Sequence, residues 1–159
     1  MKKSIVAFML LISISVFSQV ADQIGSWKYH SDSQLKERGI NHLMVSESLN
    51  KEAHLMIGFG NERTRIIFQF NNINAVTEAF GYSESTRFGL AIDDSIVMPT
   101  WMWNNENKMI IGTDCQDIII KLKNSKKLLF GFKDKYGKVV GYEFDMSGYS
   151  DIIEKYNIQ

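Results

Sequence analysis

Three histidines, His30, His42 and His54, recur at intervals of twelve residues. Imidazoles on three neighbouring strands can hold a zinc ion and leave a fourth position open for water. Alternation works against such convergence. His54 stands opposite Leu55, Ile57 and Phe59 in its strand and is expected in solvent, whereas His42 goes with Ile40 and Met44. No H-E-x-x-H pair occurs, so surface or partly buried histidine is the expectation, and neither a metal nor a cofactor is assigned. Asp32, Glu47, Asp93, Asp94 and Asp145 offer a second chemistry, glycoside cleavage by carboxyl groups about 5–10 Å apart across a cleft. Neighbouring Asp93 and Asp94 would point to opposite faces of a strand, and aspartate favours turns. Asp145 ends a strand beside Ser147. A Ser-His-Asp site has no G-x-S-x-G elbow to sit on. No catalytic residue is assigned, and the chain is not expected to be an enzyme.

Residues suited to binding are clearer. Arg63 and Arg65 alternate with Thr64 and Ile66, which places them on the solvated outer face of a strand, where guanidinium groups suit carboxylate or phosphate. Arg87 opens a later strand. Trp101 and Trp103 share one face with Met102 opposite; such a pair fills a core or, exposed, anchors a protein partner. Pro99 is the single proline. It has no N–H for a ladder, so its segment belongs at a sheet edge or bulge, where free backbone groups suit strand addition by a partner. The candidate partner-binding residues are Trp101, Trp103, Pro99, Arg63 and Arg65. Cys115, the one cysteine, is expected to be a small buried hydrophobe, the usual fate of a free thiol.

The start of the chain gives an address. Met1-Lys2-Lys3 is cationic, Ser4 to Phe17 is uncharged, and Val16-Phe17-Ser18 suits a signal peptidase cutting between Ser18 and Gln19. The apolar run of 14 residues falls short of the roughly 20 that span a bilayer. Residues 1–18 are thus expected to be a signal peptide and 19–159 one domain, periplasmic or secreted. No cysteine follows the leader to carry a lipid, so the product is expected to be soluble, not a lipoprotein, with no membrane insertion after cleavage. Loss of Lys2 and Lys3 leaves 16 basic and 18 acidic side chains. A surface so near neutrality gives no electrostatic reason to expect nucleic acid as a partner.

The elements that must position these residues follow from period-2 alternation. Val20 to Ser26 is an entry segment, Trp27 to His30 a short strand, Ser31 to Gly39 a loop, and Ile40 to Ser48 a second strand. His54 to Phe59 and Arg63 to Phe70 form a hairpin across Gly60-Asn61. Val76 to Phe80 is a brief strand, and Phe88 to Ile92 a strand that stops at Asp93-Asp94. Ile96 to Trp103 continues as extended chain, and Met109 to Ile111 is short. The period changes at Thr113, whose pairing with Gln116 suggests a capping box for a helix over 114–123. Leu128 to Phe132 and Val140 to Phe144 form a second hairpin, and Ser147 caps a helix over 148–156. Links this short imply antiparallel pairing. The expected fold is mainly β: an antiparallel β-sandwich or strongly curved sheet with two short helices in the C-terminal third.

Within that order, Arg87-Phe88-Gly89-Leu90-Ala91-Ile92-Asp93, the strand holding Trp101 and Trp103, and Tyr142-Glu143-Phe144-Asp145-Met146-Ser147-Gly148-Tyr149 before a closing helix resemble exported bacterial proteins. The similarity is to the invasion-associated locus B and type VI secretion accessory VasI kinds. It covers residues 87–157, and residues 27–70 as a strand pattern. Members often carry cysteines in the early strands; this chain has none there. The resemblance implies a β-sandwich adaptor or surface-associated protein and carries over no catalytic residue. The expected function is a non-enzymatic extracytoplasmic interaction or adaptor module whose partner is another protein of the cell envelope. A small secreted hydrolase and a periplasmic immunity or inhibitor protein are the alternatives.

Overall fold

The computed structural model describes residues 20–61, 63–71, 88–93, 95–97, 101–104, 109–112, 115–133 and 136–158. Eleven strands and three helices lie among them. In chain order they are β1 (Asp22–Ile24), β2 (Trp27–His30), α1 (Ser33–Glu37), β3 (Ile40–Glu47), β4 (Ala53–Gly60), β5 (Thr64–Phe70) and β6 (Gly89–Ile92). Then come β7 (Ser95–Val97), β8 (Trp101–Asn104), β9 (Met109–Gly112), α2 (Gln116–Leu122), β10 (Lys127–Lys133), β11 (Val139–Asp145) and α3 (Tyr149–Lys155).

The strands make two sheets, one ordered β1-β2-β3-β4-β5-β9-β8 and the other β11-β10-β6-β7. Every pairing is antiparallel, as the short links require. The expected β4–β5 hairpin is present, with Leu55 opposite Phe68 and Ile57 opposite Ile66. The second hairpin, β10–β11, pairs Phe130 with Tyr142. Period-2 alternation sends one set of side chains from each sheet into a shared core: Leu55, Ile57, Ile66 and Phe68 from the larger, Leu90, Leu128, Phe130 and Phe144 from the smaller. Phe68 and Phe130 stack across the gap at 4.2 Å between ring centroids. The architecture is an antiparallel sandwich, with Ile118, Ile119 and Leu122 of α2 and Tyr149, Ile152 and Ile153 of α3 joining its core.

Several local expectations are corrected. The loop expected over Ser31 to Gly39 contains α1, capped by the Asp32 carboxylate accepting from the Leu35 N–H at 2.8 Å. The entry segment contains β1. The outer face of the larger sheet is not solvated: Ile40, Leu43, Met56, Ile67, Met109 and Ile111 form a second core there with Leu35 of α1. The stretch expected as extended chain from Ile96 to Trp103 contributes a strand to each sheet. β7 ends the smaller sheet and β8 ends the larger, so the chain changes sheet between residues 97 and 101. Ser147 does not cap α3. Gly148 holds that position at φ 86°, with no side-chain capping bond, while the Ser147 hydroxyl donates to Asp145 at 2.6 Å. Likewise Cys115, not Thr113, stands at the N-cap of α2. The leader, the strand expected over Val76 to Phe80, Arg87, Asp94, Pro99 and Thr113 lie outside the described residues.

Candidate functional site

The two long sides of the sandwich end differently. On one, β1 is closed by α3: Asp22 accepts from Lys155 Nζ at 2.5 Å and from the Tyr156 hydroxyl at 2.9 Å, and the Tyr156 ring stacks on Tyr29 at 3.8 Å. These contacts hold the Asp22 carboxyl below its usual range, Lys155 being the largest cause. The neighbouring end strand β11 takes the Leu49 N–H onto its Glu143 carbonyl at 2.8 Å. On the other side, β7 and β8 terminate their sheets among the described residues, and three residues link them. Ile96 of β7 is 78% exposed, although it sits between buried Val97 and the turn at Asp93. In register with Ala91, it lies on the outer face of the smaller sheet, because Leu90 and Val97 occupy the inner one.

The register locates the residues singled out from sequence. Trp101 pairs with Gly112, which pairs with Ile66; Trp103 pairs with Ile110, which pairs with Phe68. Positions 101 and 103 thus share a register row with residues 66 and 68 of β5, and position 102 is in register with Ile111 and Ile67. Arg65 is next to Ile66 in β5, two strands from Trp101, or about 10 Å at the usual strand spacing. So Trp101, Arg63 and Arg65 share one corner of the larger sheet, and the three residues holding Pro99 lead into it. The two arginines differ from the expected pair of solvated cations. Arg63 is exposed, but Arg65 is only 9% exposed, because the outer face carries the second core. Burial lowers the Arg65 pKa, the like charge of Arg63 adds to this, and Cys115 opposes it. Cys115 itself is buried, as expected of a thiol used for packing.

The candidate chemical groups are placed apart or held in structural roles. His42, in register with Phe59, and His54, in register with Glu47, lie at opposite ends of the β3–β4 ladder, and His30 is buried. No group of three His, Cys, Asp or Glu that could hold a metal occurs among the described residues. Asp93, at φ 50°, accepts from the Lys126 and Lys127 N–H groups at 3.0 and 3.1 Å, the turn role expected of it. Asp145 accepts from the Ser147 N–H at 2.9 Å as well as its hydroxyl, and these bonds hold its carboxyl below the ordinary value. Ser26 donates its hydroxyl to the carbonyls of Asp145 and Ser147 at 2.8 and 3.2 Å. Sequence reasoning missed this link between the β1–β2 turn and the end of β11, since nothing marks two serines 121 residues apart as neighbours.

His42 has a consequence for pH. With the imidazole neutral and its proton on Nε2, the Tyr29 hydroxyl donates to Nδ1 at 2.7 Å. Burial, and then the charge of Lys36, lowers the His42 pKa below 6.5. The unfolded chain therefore binds more protons between the folded value and 6.5, so stability falls as pH drops through that window. Urea unfolding at pH 7.5 and 5.5 is expected to show this loss in the native protein and a smaller one in His42→Gln.

No protein-family model and no curated protein sequence matches this chain. No helix among the described residues is long and apolar enough to cross a membrane. The fold has a solved counterpart: it is similar to the crystal structure of invasion associated protein B from Bartonella henselae, with a TM-score of 0.60 and 11% identity, covering 84% of this chain and 93% of that one. At this identity the likeness is one of fold.

Proposed function

We propose that this protein is a non-enzymatic, exported interaction module that binds another protein of the cell envelope through the side of the sandwich formed by β7 and β8. The asymmetry of the two sides carries the reading. β1 is covered by α3, while β7 and β8 end their sheets among the described residues, with an exposed isoleucine on one of them. An end strand presents a row of N–H and C=O groups, and a partner strand that pairs with them gains main-chain bonds while Ile96 adds apolar contact. Arg63, at the same corner as Trp101, offers a charge-assisted bond to a carboxylate on that partner. The cationic and apolar leader supports export, and the fold shared with an invasion associated protein is consistent with it.

The test uses two variants and two readouts. Ile96→Lys places a charge on the end strand, which opposes strand addition, at a position too exposed to matter for folding. It is expected to keep the melting temperature within about 2 °C of the native value and to abolish recovery of the partner from the envelope fraction. Trp101→Ala/Trp103→Ala is expected to lose the same partner. A fall of more than about 10 °C, as for tryptophans removed from a core, would assign the pair to packing and leave Ile96 and the strand edge as the contact. Retention of the partner by Ile96→Lys overturns the proposed surface.

A further inference from the structure

Beneath α3, at the closed side of the sandwich, two buried polar residues, Ser46 and Tyr149, both adjoin the buried indole of Trp27. Trp27 and Ser46 are direct cross-strand partners of β2 and β3, and the Trp27 ring packs on Tyr149 of α3 at 5.1 Å and 55°. Trp27 and Tyr149 are 0% exposed and Ser46 is 1% exposed. Trp27 Nε1, Ser46 Oγ and Tyr149 OH each find no hydrogen-bond partner among the described residues. Buried polar groups in folded proteins nearly always have one, and three orphans on adjoining residues point to a common ligand. We propose that these three atoms enclose a single buried water molecule that joins α3 to the larger sheet.

The donor and acceptor inventory selects the ligand. Indole can only donate, so the bound atom facing Trp27 must accept. That excludes a cation. An anion would be desolvated there without compensation, because the Tyr149 phenol is pushed upward by burial alone, with no charged side chain contributing. A neutral molecule that accepts from Trp27 and exchanges bonds with two hydroxyls fits, and buried waters typically make about three such bonds. The site is independent of the proposed partner surface, since β2 and β3 lie on the far side of the larger sheet from β8.

A crystal structure of the protein at about 1.5 Å or better is the direct test. The expected result is a density peak within hydrogen-bonding distance of Trp27 Nε1, Ser46 Oγ and Tyr149 OH. A dry interior, with the three atoms bonded directly to one another or to nothing, overturns the proposal. Thermal unfolding is a second test. Ser46→Ala and Tyr149→Phe are each expected to lower the melting temperature by about 2–5 °C, because each takes a bond from the water, and the double variant to lose less than the sum. If the hydroxyls were orphans in a dry core, their removal would raise the melting temperature instead, which again overturns the proposal.

Discussion

Gly148→Ala is expected to destabilise the protein by about 4 kcal/mol or more, enough to threaten folding in a domain with 5–15 kcal/mol in total. Gly148 has φ 86°, where an L-residue costs roughly 1–2 kcal/mol. The larger cost is contact. A Cβ there would lie 2.1 Å from the Ile24 carbonyl oxygen and 3.0 Å from the Gly25 nitrogen. The approach is reciprocal, for a Cβ on Gly25 would lie 2.4 Å from the Ser147 carbonyl oxygen. Backbone meets backbone, so no rotamer change relieves the clash. Separating the two turns would also break the Ser26 N–H bond to Ser147 and the Ser26 hydroxyl bond to Asp145. Gly25→Ala is expected to cost a similar amount, and the double variant much less than the sum, because the first substitution opens the contact the second needs. Gly137 is the control: its φ is +80° and nothing lies within 4 Å of its Cβ position, so Gly137→Ala should cost about 1 kcal/mol. Urea unfolding of the variants measures the difference. Equal losses for Gly148→Ala and Gly137→Ala would show that backbone conformation alone matters at the corner.

Phe130→Ala is expected to cost about 3–5 kcal/mol, the range for a buried aromatic truncated to methyl. Its ring is fully buried and lies between both sheets, 4.2 Å from Phe68, 5.7 Å from Phe88 and 6.0 Å from Phe70. These three rings cannot refill the space without leaving their own sites, so a cavity persists. Phe130→Leu keeps most of the buried volume and should cost about half as much. Val139→Ala, on the neighbouring strand but exposed, should stay within about 0.5 kcal/mol of the native protein. Chemical denaturation with a common slope separates the three. A loss below about 1 kcal/mol for Phe130→Ala would remove the ring from the centre of the core.

The inner face was legible because its signal is repeated. Phe68, Leu90 and Phe130 each stand in a strand of strict alternation, and all three are buried in the shared core. The outer face of the larger sheet was not, because His54 and Arg65 supplied polar positions that mimic a solvated surface while Met56 and Ile67 beside them are buried. Covering that face involves α1, a five-residue helix with one apolar anchor, Leu35, too short for a helical period; Asp32 as its cap was the only local sign. The change of sheet between β7 and β8 left no trace, since extended chain alternates identically whichever sheet it joins. For the same reason the exposure of Ile96 was hidden. Its outward position depends on β6 and β10 beside it, not on its neighbours in sequence. The ending Phe144-Asp145-Met146-Ser147-Gly148-Tyr149 was recognisable as a motif, and its physical content is the corner itself: an aspartate bonding a serine, a glycine against Ile24, and an aromatic on Trp27.

That corner also dictates the order in which the molecule can be completed. The pieces that shut the sandwich at β1 and β2, from Met146 to Tyr156, come after β11, the last described strand, in synthesis, yet they fasten onto residues 22–29 of the first described hairpin. A nascent chain must therefore wait for its last dozen described residues before its first hairpin is secured. Opening that corner would therefore free the first hairpin and the closing helix together.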